Sequence, residues 1–104
     1  MQVAVIGSRN LNIDITAYIP AQTTVILSCG SRGVEAQAER WADDNNIPKL
    51  VIRSGYSAPQ RRRLIIDMAD YVMVIWNGTS NCMKAAISYA QRTGKPVQIL
   101  TVSG

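Results

Sequence analysis

Residues 24–52 read TVILSCGSRGVEAQAERWADDNNIPKLVI, and the fold is decided in this stretch. Thr24 to Leu27 and Leu50 to Ile52 are apolar runs rich in β-branched residues without regular polar alternation, the pattern of strands buried on both faces. Between them Val34, Ala38, Trp41 and Ala42 fall at helical spacing and form one apolar stripe. Asn45-Asn46 before Ile47-Pro48 stops that helix. Strand-helix alternation of this kind reads as parallel strands joined by crossover helices.

The same alternation extends outward in both directions. Val3 to Ile6, Tyr71 to Ile75 and Val97 to Val102 read as further buried strands. Leu64, Ile65, Met68 and Ala69 mark one more helix, and Ala85, Ala86, Tyr89 and Ala90 another. Pro59 suits a first helical turn capped by Ser57 or Ala58, and Gly94 before Lys95-Pro96 ends the last helix. Leu11 to Gln22 reads as a short helix, although Ile13, Ile15, Ala17 and Ile19 also alternate and Pro20 cuts the pattern. The expectation is an α/β fold, a Rossmann-like three-layer sandwich with a parallel sheet of about five strands. At 104 residues this is a single domain, 1–104, with room for one site.

Composition narrows the chemistry. Hydrophobic residues at 47% against 17% charged rule out a disordered chain. Histidine is absent, which removes Ser-His-Asp and Cys-His catalysis and any imidazole ligand. Cys29 and Cys82 form no CxxC pair, so no metal site is expected, and no cofactor is called for. Met1 to Ile6 lacks the basic leader of a signal peptide, and no apolar run approaches the ~20 residues that span a bilayer. A cytoplasmic protein without a membrane partner is expected. Its apolar helices would also suit a homodimer.

In a parallel sheet every strand-to-helix loop emerges at one edge, and ligands bind where the strand order reverses. Four loops should meet there. Ser28 to Gly33 is small and glycine-bracketed and runs into a helix start, so Gly30, Ser31, Arg32 and Gly33 read either as a phosphate cradle or as a tight turn. It is neither GxGxxG nor a Walker A loop. Gly7-Ser8-Arg9-Asn10 ends the first strand, where Ser8 and Arg9 would suit a phosphate or lie solvated. Arg61-Arg62-Arg63 opens a helix, an end where the macrodipole disfavours cations, so a bound anion would relieve them; a solvated charged face is the bland reading. Asn77-Gly78-Thr79-Ser80 precedes a helix that Thr79 or Ser80 would cap, and Trp76 beside it would stack on a base or pack against a neighbour. Counted over residues 7–10, 28–34, 53–63 and 76–81, this edge holds six arginines and no acid, leaving five basic and seven acidic residues elsewhere. The net charge of +4 is thus concentrated at one edge, in the side chain best suited to forked phosphate contacts.

Taken in order, Val5-Ile6-Gly7-Ser8-Arg9, Ser28-Cys29-Gly30-Ser31-Arg32-Gly33-Val34-Glu35, Ala69-Asp70, Trp76-Asn77-Gly78-Thr79-Ser80 and Gly94-Lys95-Pro96-Val97 resemble the SLOG superfamily, in particular its small stand-alone YspA-like branch. The similarity spans nearly the whole chain. It implies a Rossmann-like domain related to the LOG phosphoribohydrolases and to the DNA-processing protein DprA, with nucleotides or nucleotide-derived signals as ligands, often in phage-conflict settings. Carried over residue by residue, Gly7, Ser8 and Arg9 match the first loop, and Gly30, Arg32 and Gly33 the second. Arg61 matches the helix-opening arginine, and Asn77, Gly78 and Ser80 the fourth loop. The chain departs from the branch where Cys82 and Met83 replace a usual Gly-Thr, where Arg62 replaces an Asn, and in a shorter segment from Arg53 to Gln60.

Ala85 and Ala86 occupy the region where LOG-type enzymes place a catalytic Glu, which leaves Glu35 as the one catalytic candidate near the loops. Glu35 reads either as an acid-base group or as a first-turn acid favoured by the helix dipole. The favoured expectation is a domain, catalytic weakly or not at all, that binds a nucleotide-like phosphate ligand. The alternatives are an N-glycosidic hydrolase or transferase of LOG or deoxyribosyltransferase type, and a DprA-like binder of single-stranded nucleic acid whose affinity falls with salt.

Overall fold

The computed structural model describes residues 1–9, 11 and 13–102. Five strands form one sheet: β1 (Gln2–Gly7), β2 (Val25–Ser28), β3 (Lys49–Val51), β4 (Tyr71–Trp76) and β5 (Val97–Thr101). All are parallel, in the order β3-β2-β1-β4-β5. Three helices connect them: α1 (Val34–Asp44), α2 (Ala58–Met68) and α3 (Asn81–Arg92). The α/β sandwich expected from the apolar runs is the observed fold.

Successive side chains of a strand point to opposite faces, and here each face has its own core. Ala4, Ile6, Val72 and Val74 pack against Ile65 and Ile66 of α2 and Met83, Ala86 and Ala90 of α3. Val3, Val5, Met73 and Ile75 pack with Val34, Ala38 and Ala42 of α1. This is the distribution that right-handed crossovers impose on the order 3-2-1-4-5. The helix ends follow the sequence signals. Ser57 and Gln60 form a reciprocal capping box at α2, and Ser80 caps α3. Asn46 and Gly94 take positive φ just beyond α1 and α3. Lys95 then donates to the carbonyls of Asp67 and Ala69 (3.2 and 2.8 Å), placing a cation at the C-terminal end of α2.

The segment from Leu11 to Gln22 departs from the expected helix. Its only helical turn among the described residues is a 3₁₀ turn, Thr16–Tyr18, preceded by Ile15 without a side-chain cap. Asp14 Oδ1 accepts from the backbone N–H and the hydroxyl of Thr16 (3.0 and 2.7 Å), a local turn that competes with helix. Gln37 of α1 meets the backbone instead: its Oε1 accepts from Ile15 N–H (3.0 Å) and its Nε2 donates to Ile13 C=O (2.7 Å). One side-chain amide holds the segment to α1, with Ile15 and Ile19 buried beside that helix.

Gly7 determines how closely α1 approaches β1. A Cβ at this position would lie 2.7 Å from Cβ and Cγ1 of Val34 and 3.0 Å from Ile75 O. Gly7→Ala should therefore destabilise the fold by ~1–3 kcal/mol through overpacking. For a domain of this size that lowers the melting temperature by roughly 4–8 °C per kcal/mol. Thermal melts of Gly7→Ala against wild type check this; a Gly7→Ala protein as stable as wild type would show that α1 has slack.

Candidate functional site

The chain runs from β1 to β2 and β3 on one side, then adds β4 and β5 on the other, so strand order reverses between β1 and β4. At the end of β1, Ser8 N–H donates to Ile75 O of β4 (3.0 Å), and the chain leaves the sheet through the exposed Arg9. Asn10, the last residue of the expected first loop, lies outside the described residues.

The loop from β2 to α1 is organised around a buried carboxylate. Glu35 stands in the first turn of α1 and turns back, so that Oε1 accepts from Cys29 N–H (2.9 Å) and Ser31 N–H (3.4 Å). The Ser28 hydroxyl oxygen lies 3.4 Å from the same oxygen. Burial pushes the Glu35 carboxyl above its ordinary value of 4.5, while the hydrogen bonds it accepts pull it back. Gly30 N–H donates to Ser28 Oγ (3.0 Å). The amides of Cys29, Gly30 and Ser31 are thus engaged within the protein, and the expected cradling of phosphate by Gly30-loop amides gives way to internal acceptors, Glu35 and Ser28.

A chain of polar contacts continues outward. Ser28 has one hydroxyl proton, and its short contact is to Glu39 Oε2 (2.8 Å). Glu39, also buried, pairs through Oε1 with Arg53 Nη2 (3.0 Å). Arg53 Nη1 donates to Gly30 O (3.2 Å), and Arg61 Nη1 donates to Arg53 O (2.7 Å). Glu39 therefore orients Arg53, and the Arg53 backbone orients Arg61. Arg61 Nε is buried without a hydrogen-bond partner among the described residues.

Two adjoining cavities open at this edge. The larger, about 450 Å³, is bounded by Gly7, Ser8 and Arg9 from the first loop, Ser31 and Glu35 from the second, Arg61 from α2 and Ser80 from the start of α3. The smaller, about 220 Å³, has Gly30, Arg32 and Arg53 in its wall and shares Arg9, Cys29, Ser31 and Arg61 with its neighbour. The loops thus bring together Gly7, Ser8, Arg9, Gly30, Ser31, Arg32, Arg61, Ser80 and Glu35. A broader depression of about 700 Å³ lies between Ile13, Gln37 and Trp41 on the outer side of α1, away from the strand ends, and its charges are mixed: Arg40 with Asp14 and Asp44.

Four expected residues line neither cavity. Gly33 takes φ +73, and a Cβ there would also meet Arg9 O at 2.5 Å, so its place is that of a turn residue in close contact with the first loop. Asn77 Oδ1 accepts from the N–H and the hydroxyl of Thr79 (both 3.0 Å), closing a local turn, and the side of Gly78 that a Cβ would fill faces Thr101 Cγ2 at 3.2 Å. Trp76 packs against the α2 and α3 core. Nor do the six arginines act together. Arg63 lies 5.6 Å from the Tyr89 ring centroid, and Arg53 is offset by Glu39. The larger wall gains residues not selected as ligand contacts: Pro59, Arg62, Cys82 and Met83. The signal for them was the helix-start position itself, since first-turn side chains of α2 and α3 face the same crevice. Cys29 is buried, and burial together with the Glu35 charge pushes its thiol up to about 11, so it stays protonated at neutral pH.

No cluster of three potential metal ligands and no helix long and apolar enough to cross a membrane occurs among the described residues. Comparison with protein-family models, curated proteins and solved structures found no match to this chain.

The buried carboxyl generates a pH signature. The folded chain holds the Glu35 proton more tightly than the unfolded chain, so this group's contribution to stability is complete below 4.5 and is lost as pH rises through the folded value. Urea unfolding of wild type and Glu35→Gln across that window should show wild type losing stability relative to the variant as pH rises. A difference independent of pH would mean that the hydrogen bonds to Glu35 cancel the effect of burial, and a wild type that gains stability with rising pH would mean that they outweigh it.

Proposed function

We propose that this protein binds a nucleotide or nucleotide-derived ligand in the crevice between the ends of β1 and β4, with the ligand's phosphate held by arginine side chains. One observation carries the reading: a cavity of about 450 Å³ at the reversal of strand order is walled by Arg9, Arg61 and Arg62 together with the hydroxyl-bearing Ser8, Ser31 and Ser80. Its volume is that of small-molecule sites, and its position is where open parallel sheets take their ligands. The first turns of α2 and α3 contribute Pro59 and Cys82, so two positive helix ends add to the guanidinium charge. An anion there would also give Arg61 Nε the partner it lacks and relieve the cations at the start of α2. The resemblance to the SLOG superfamily, on the residues quoted above, supports this site and this ligand class. The nucleic-acid reading is weaker because Arg63 is drawn away to Tyr89.

A second reading is favoured by Glu35, whose carboxyl lies in the wall of the cavity and is pushed up by burial, as a general acid requires. It would act as an N-glycosidase, protonating a departing base. Release of free base from a nucleoside monophosphate, lost in Glu35→Gln, would establish it.

Thermal melts across a panel of mononucleotides, dinucleotides and ADP-ribose test the binding reading. A true ligand at 100 times its dissociation constant adds about 2.7 kcal/mol. Arg61→Ala should abolish most of the shift. An unmoved midpoint with every member of the panel would overturn the proposal.

A further inference from the structure

The crevice has two compartments of different chemistry, and that division bears on the kind of nucleotide it takes. The larger compartment has Pro59, Cys29 and Met83 in its wall, apolar surface suited to a base or sugar. The smaller is walled by Arg9, Arg32, Arg53 and Arg61 with only small residues between them. At about 220 Å³ it has room for roughly seven waters of ~30 Å³ each, too little for a nucleoside but enough for a short phosphate chain. Arg53 is already paired with Glu39, while Arg9, Arg32 and Arg61 have no acidic partner among the described residues. A monophosphate carries about −1.5 to −2 at pH 7, less than three guanidiniums can balance. Each further linked phosphate adds negative charge. Donors that would hold a single phosphate elsewhere are scarce: the amides of Cys29 and Ser31 serve Glu35, and Gly30 N–H serves Ser28.

Resting on the nucleotide reading above, we infer that the ligand carries two or more linked phosphates, the nucleoside lying in the larger compartment and the distal phosphate between Arg9, Arg32 and Arg61 in the smaller. Arg9 and Arg61, common to both walls, would bridge the chain as forked donors. Arg32 belongs to the smaller wall alone and Arg62 to the larger. Arg32 is therefore the residue that tells one phosphate from two.

Dissociation constants measured by calorimetry for the 5′-mono-, di- and triphosphates of the four common ribonucleosides decide the matter. The di- or triphosphate of the preferred nucleoside should bind about tenfold or more tightly than its monophosphate, the worth of one added charge-assisted contact. Arg32→Ala, a change at an exposed side chain, should erase that advantage, so that within this variant the di- and triphosphate bind no more tightly than the monophosphate. Arg62→Ala should weaken all three phosphate states alike. Equal affinity for one and two phosphates, or an advantage that survives Arg32→Ala, overturns this inference while the nucleotide reading stands. No binding by any nucleotide overturns both.

Discussion

The ends of β1 and β2 and the start of α1 meet at one carboxylate. Glu35 accepts from the amides of Cys29 and Ser31 across the β2 to α1 loop, with the Gly7 amide at the end of β1 close enough to help hold its charge. The contact requires α1 to lie close over β1, which the missing side chain of Gly7 permits by admitting Val34. It also requires the loop to turn sharply, and Gly30 and Gly33 supply the positive φ. Loop amides buried without acceptors would each cost ~1–3 kcal/mol, so a carboxylate in their midst stabilises the turn even though its own burial is unfavourable.

Filling the loop from within moves anion recognition onto side chains. In a glycine-rich phosphate loop the backbone amides point at the ligand; here three of them point at Glu35 and Ser28. What remains to meet an anion is a set of guanidiniums, held by contacts that begin in the same network. Ser28 and Arg53 share Glu39, Arg53 holds Gly30 O, and the Arg53 carbonyl fixes Arg61. The buried acids thus set the shape of an edge whose exposed face is basic.

The strand runs and helical stripes were legible because they express local periodicity and one-sided burial, and the ends of α2 and α3 because capping chemistry is local. The segment after β1 was misread as a helix because its backbone partner, Gln37, lies more than twenty residues away and an alternating apolar pattern does not reveal it. At the site, Gly7, Ser8, Arg9 and Arg61 could be placed from their position at strand and helix ends. The diversion of Arg63 to Tyr89 could not, since it depends on a rotamer chosen by a neighbour in space.

By itself, then, the sequence determined the parallel sheet, its three helices and the gathering of arginine at one edge, because periodicity, turn residues and loop composition act over a few residues. Only the tertiary structure decided which of those arginines face a common space and which are already paired. It alone also showed that the glycine loop is occupied by Glu35. Such outcomes turn on distances between residues remote in sequence and on competition for buried hydrogen-bond donors, a competition that exists only once the chain has closed around them.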